Sequence, residues 1–144
     1  AWGFNSNGEL GLGDTAHRSS PVQIGSIVNW KQLDCGGNHT IATKADGTLW
    51  VWGKNDYGQL GQGDIVHRSA PIQVGALTNW RISYGGQSHS VCVKTDGSVW
   101  SWGFNTDGEL GLGDTAHRSS PVQVGTLINW KLVSCGDYFT SLTK

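Results

Sequence analysis

Three histidine–arginine pairs, His17-Arg18, His67-Arg68 and His117-Arg118, recur at intervals of 50 residues and invite a metal-binding or acid–base reading. Equivalent positions on successive repeats of a ring are rotated away from one another, so these imidazoles cannot converge at the ~2 Å metal–ligand distance. A local role fits better. Each arginine stands four residues after Asp14, Asp64 or Asp114, where a charge-assisted hydrogen bond would pin the intervening loop. The middle copy differs at one informative place: Ile65-Val66 stands where its siblings carry Thr15-Ala16 and Thr115-Ala116. An apolar pair at a loop tip implies contact with a neighbouring loop or a partner. The expected contact surface is therefore His17, Arg18, Ile65, Val66, His67, Arg68, His117 and Arg118.

Other chemistry-bearing residues reduce to structure. The segments GELGLGD (8–14 and 108–114) and GQLGQGD (58–64) suggest a phosphate cradle, but lack the Gly-Lys-Ser/Thr ending of a P-loop and open no helix. Glycine there permits positive φ and close packing. His39 and His89 precede apolar strands and read as core hydrogen-bonding residues, with no serine or cysteine beside them in a nucleophile context. Trp50, Trp52, Trp100 and Trp102 lie among apolar neighbours and read as core, whereas Trp30, Trp80 and Trp130 are expected partly exposed. No catalytic residue, metal or cofactor is expected.

The elements that must position these residues follow from the same period. Residues 1–25 and 101–125 agree at 21 of 25 positions, and the tryptophans, prolines and glycines keep step throughout. The organisation is three repeats, approximately 1–50, 51–100 and 101–144. Each supplies WKQLDC (30–35), HTIATK (39–44), TLWVW (48–52) and PVQI (21–24) as strands, with Asp46-Gly47 predicting a type I′ hairpin turn. In TLWVW both faces are apolar, as suits a sheet covered on two sides. The fold class is all-β: a β-propeller of ~50-residue four-stranded blades, three repeats of it present.

The stretch CGGNHTIATKADGTLWVWGKNDYGQLGQGD resembles the repeat of the regulator of chromosome condensation family. The likeness rests on its glycine before His-Thr, Asp-Gly turn, Trp-Gly-x-Asn segment and Gly-x-Leu-Gly-x-Gly-Asp loop. The third copy departs from it, with Phe139 where His39 and His89 stand. The resemblance implies a propeller, typically seven-bladed, whose repeat is out of phase with the blade. It also implies binding of small GTPases, histones or enzymes through loops on the ring faces, and a bacterial relative that inhibits β-lactamases. Guanine-nucleotide exchange in the founding member uses a protruding wedge, and no insertion here breaks the period.

Composition bounds the rest. Ten Lys+Arg against eleven Asp+Glu give a net charge of −1, which removes the basic excess that grips nucleic acid. No apolar run approaches the ~20 residues of a membrane span. Three cysteines, an odd number, favour a reducing compartment such as the cytoplasm over a disulfide framework. The expected function is a non-enzymatic protein-interaction scaffold. The alternatives are a carbohydrate-binding propeller using exposed tryptophans and an exchange or regulatory module within a longer chain. Three blades leave two sheet faces open, so either a homodimer closes a six-bladed ring or further repeats of a longer chain do.

Overall fold

The computed structural model describes residues 1–26 and 29–144; no helix occurs among them, hence none able to cross a membrane. In the first full sheet β1 (Trp30–Cys35), β2 (His39–Lys44), β3 (Leu49–Gly53) and β4 (Arg68–Gln73) run antiparallel in that order. The second repeats the order with β5 (Trp80–Gly85), β6 (His89–Lys94), β7 (Val99–Gly103) and β8 (Arg118–Gln123). The third is a pair, β9 (Leu132–Cys135) with β10 (Thr140–Thr143). The sheets straddle the sequence repeat: the first two strands come from one copy, the third spans the boundary and the fourth comes from the next copy. The first strands of successive sheets lie side by side, and the Gln32 amide bonds both the N–H and the C=O of Ser83.

The β2–β3 hairpin forms where Asp46-Gly47 predicts it, but with a different turn. Only Gly47 takes positive φ (79°), so the loop is not type I′. Gly47 N–H donates to Lys44 O, and Lys44 N–H to Thr48 O, each at 3.0 Å. That is a three-residue loop, a type I turn followed by a left-handed residue. Asp46 Oδ1 completes it by accepting from Thr48 N–H (3.0 Å) and Thr48 Oγ1–H (2.7 Å). Glycine is required twice over, because a Cβ at Gly47 would collide with the Thr78 carbonyl.

The fourth strand begins three residues before the expected PVQI segment, placing Pro71 and Pro121 in its interior. The register explains the tolerance. Gly53 pairs with Arg68 and Val51 with Ile72, so Ser69–Pro71 bulge out of the ladder where no proline N–H is needed. In the first copy PVQI is not a regular strand. Ala1–Gly3 still follow the register, bonding Val22 through Ala1 (2.7 and 3.0 Å) and Arg18 through Gly3 (2.7 and 3.0 Å).

Burial follows from the two-sided apolar pattern. Ile41, Leu49, Val51, Leu60, Val74, Trp80, Cys92 and Trp102 form one core between the first two sheets; Val91, Val93, Val99 and Val133 form another between the second sheet and β9–β10. Trp80, expected partly exposed, is buried instead. It packs 6.2 Å from Trp100 and 6.3 Å from Trp102, edge to face, two strands along the same sheet. Trp50 and Trp100 are half-buried, with the ammonium groups of Lys44 and Lys94 lying 3.5 and 3.7 Å from their ring centroids. Each ammonium group covers one face of its ring.

Candidate interaction surface

The loops between the third and fourth strand positions hold the expected contact residues, with Arg68 and Arg118 at their far ends as the first residues of β4 and β8. A single buried asparagine builds each one. Asn55 Oδ1 accepts from Leu60 N–H (2.8 Å), while its Nδ2 donates to Asp64 O (3.0 Å), Asp64 Oδ1 (3.1 Å) and Val66 O (3.1 Å). Asn5 and Asn105 make the same set in their copies. The Trp-Gly-x-Asn segment marked these asparagines as part of the family likeness and gave them no role; their signal was an asparagine fixed two residues after Trp-Gly while the next position varies among Ser6, Asp56 and Thr106.

The arginines do what their spacing implies. Arg18, Arg68 and Arg118 reach Asp14, Asp64 and Asp114 at 2.6, 2.7 and 2.6 Å, and donate again to the carbonyls of Ala16, Val66 and Ala116 at 2.7 Å. Asp14 and Asp114 sit below the usual carboxylate range, held first by the N–H of Ala16 or Ala116 and then by the arginine. Asp64 is lowered chiefly by the Val66 N–H.

The histidines are part of the same scaffold. Nδ1 of His17, His67 and His117 accepts from the N–H of Asn5, Asn55 and Asn105 (2.9, 3.0 and 3.0 Å), which leaves the neutral ring's proton on Nε2. Phe4 stacks on His17 and Phe104 on His117, centroids 5.0 Å apart. Tyr57 reaches across from the preceding loop to meet Phe104 edge-on at 4.8 Å. The structure thus brings each His–Arg pair together with its own Asp and Asn, and does not bring the three pairs to one point.

Each loop is also clamped to the sheet that follows it. The Gln59 carbonyl accepts from Ser90 Oγ–H (2.8 Å) and Trp102 Nε1–H (2.9 Å), as the Glu9 carbonyl does from Thr40 (2.9 Å) and Trp52 (2.8 Å). Gly61, at φ 64°, lets the backbone lie on the indole; a Cβ there would stand 2.8 Å from Trp102 Nε1. What remains free is the tip. Ile65 and Val66 are 64% and 58% exposed, so no neighbouring loop covers them.

Asn55→Ala leaves the buried Leu60 N–H without an acceptor and the Asp64 carbonyl without its donor, while the Val66 carbonyl keeps only Arg68. It is expected to cost about 2 kcal/mol, read as a lower urea midpoint, and to open residues 56–66 to proteolysis. A midpoint within error of wild type would mean that the loop holds without its asparagine.

Comparison with known proteins agrees with this architecture. The sequence profile of the Regulator of chromosome condensation (RCC1) repeat matches residues 1–43, 46–93 and 96–142, and a second profile of the repeat matches 30–59 and 81–109. The ultraviolet-B receptor UVR8 of Arabidopsis thaliana is 40% identical over 52 residues, 35% of this chain and 12% of the receptor. Prp20p of Saccharomyces cerevisiae, a protein described with its binding to Gsp1p and histones, superposes over 96% of this chain with a TM-score of 0.85 at 24% identity. A second structure has the same yeast protein bound to Kap60, TM-score 0.84, and human WBSCR16 superposes with a TM-score of 0.54 at 21% identity. The chain spans 37% of the Prp20p chain and 52% of WBSCR16. With three consecutive repeats matched from residue 1 to residue 142 and the four-stranded sheets to go with them, the chain belongs to the regulator of chromosome condensation (RCC1) repeat family.

Proposed function

We propose that this propeller segment is a non-enzymatic protein-interaction scaffold whose contact surface is the row of third-to-fourth-strand loops. The observation that carries the reading is the Ile65–Val66 pair: two apolar side chains exposed on a loop that Asn55, Asp64 and Arg68 hold rigid. A pre-ordered loop loses little entropy on binding, so apolar area at its tip adds affinity. Arg18, Arg68 and Arg118 are satisfied within their own loops and act as its frame, not as its reading head. Burial pushes the thiol pKa values of Cys35, Cys92 and Cys135 up, Cys135 to about 12, so none is primed as a nucleophile. The free thiols accord with a reducing compartment.

The test is immobilised chain, wild type or Ile65→Ser/Val66→Ser, challenged with purified Gsp1p and histones, the proteins with which Prp20p is described, and with a β-lactamase. A captured partner should bind the variant at least about tenfold more weakly, while thermal unfolding of the two chains coincides, since both side chains face water. Equal affinity would remove the tip from the interface. Accelerated nucleotide release from Gsp1p would overturn the non-enzymatic reading.

A further inference from the structure

We infer that the face formed by the β2–β3 and β6–β7 hairpins is a docking surface for an extended acidic segment of a partner protein. Charge is sorted by face in this fold. The topology puts both hairpins and the starts of β1 and β5 at one end of the strands, and the loops that carry the Asp–Arg pins at the other. On the loop face nine carboxylates outnumber four cations. On the hairpin face six cations, Lys31, Lys44, Arg81, Lys94, Lys131 and Lys144, outnumber Asp46 and Asp96, and the two complete sheets alone hold four of the six. Strands of this length keep the faces ~20 Å apart, more than two Debye lengths at physiological salt, so each presents its own sign. The net charge of −1 is the difference between two unlike surfaces.

Ion pairing divides along the same line. Arg18, Lys54, Arg68 and Arg118, the four cations of the loop face, each contact a carboxylate at 2.6 to 3.0 Å. Among the described residues no carboxylate pairs with a cation of the hairpin face. Asp46 and Asp96 instead accept from the N–H and hydroxyl of Thr48 and Ser98 in their own turns. Lys44 and Lys94 are buried against their indoles. The open charges are Lys31 and Arg81, second residues of β1 and β5, and Lys131 at the equivalent place before β9. Because the first strands of successive sheets lie side by side, these three make one row.

The relief of the face selects a narrow partner over a flat one. Asp46 and Asp96 are exposed at the hairpin tips, so a duplex or a bilayer laid across the face would meet carboxylates there. A single extended chain passes beside the tips and follows the row of cations. Leu77, 48% exposed, lines with Trp80 and Trp100 a recess of about 250 Å³ that has Lys94 in its wall. That recess suits an apolar side chain between acidic ones. Opposite charge steers the encounter and fixes the register, and the apolar contact slows release.

Fluorescence anisotropy of a labelled peptide of Glu-Leu-Asp-Pro repeats, titrated with the 144-residue chain, tests this. The peptide should bind, more weakly as salt rises, and a Gln-Leu-Asn-Pro counterpart should not. Lys31→Glu/Lys131→Glu changes two exposed side chains. It should keep the circular dichroism of wild type and weaken binding by at least about tenfold. Ile65→Ser/Val66→Ser should leave the peptide affinity unchanged, because that pair lies on the loop face, so the two surfaces are tested separately. No binding, binding indifferent to the charge reversal, binding lost with Ile65 and Val66, or tighter binding to duplex DNA or phosphatidylserine vesicles than to the peptide would each overturn the proposal.

Discussion

Trp102→Ala is expected to lower the unfolding free energy by about 4 kcal/mol, the middle of the range for a large aromatic truncated in a core. Trp102 is completely buried and shares its cluster with residues of both full sheets. In an array whose units touch only their neighbours, stability is carried largely by such interfaces. The truncation also removes one of the two donors to the Gln59 carbonyl and the surface on which Gly61 rests. Trp102→Phe separates the contributions: it keeps most of the volume and loses the indole N–H, for about 1 kcal/mol. The same substitution two repeats earlier gives the internal control. Trp2→Ala should change stability by less than about 0.5 kcal/mol, because that side chain lies mostly in water. Urea titrations followed by far-ultraviolet circular dichroism measure all three. If Trp102→Ala fell within about 1 kcal/mol of wild type, the loop clamp would not be what joins the blades.

Much of this architecture was readable in the residues. A period of 50 with tryptophan, proline and glycine in step fixed the number of repeats, and TLWVW fixed a sheet covered on both faces. The Asp–Arg pins were readable as well, because their partners are four residues apart in the chain. Long-range requirements were less legible. Asn55 works through backbone groups up to 11 residues away, and its hydrogen bonds depend on a loop conformation that no local pattern declares. The bulge at Ser69–Pro71 arises from pairing with β3, so proline appeared to begin a strand that in fact starts at Arg68. Trp80 was misjudged for a related reason. Its own segment, Asn-Trp-Arg, is polar, and its burial comes from Trp100 and Trp102.

Acid should destabilise the arc between about pH 6.5 and pH 4, and His39→Phe should remove most of that effect. Ser90 Oγ–H is committed to the Gln59 carbonyl (2.8 Å), so at 3.0 Å His39 Nε2 must be the donor to Ser90. Its Nδ1 is then bare, buried and without a partner, against Gly36. Protonation would put a charge there with no acceptor. Burial first, and the charge of His89 second, bring the His39 pKa from 6.5 down to about 4. Within that window the unfolded chain binds a proton that the native one refuses, so stability falls as pH falls, by roughly 3 kcal/mol for a shift of this size. His89, donating to Thr140 at 3.1 Å and likewise lowered by burial, acts in the same direction. The lowered aspartates act in a different range. Asp14, Asp46, Asp64, Asp96 and Asp114 begin to cost stability only as pH falls through and below 3.8. Phenylalanine is a fair replacement because the third copy already uses it: Phe139 lies over Gly136 as His39 lies over Gly36. Urea midpoints at pH 7, 5.5 and 4 should converge for wild type and His39→Phe as acid is added, the variant holding a flatter profile. Parallel profiles would mean that His39 finds an acceptor in the folded chain and carries its proton there.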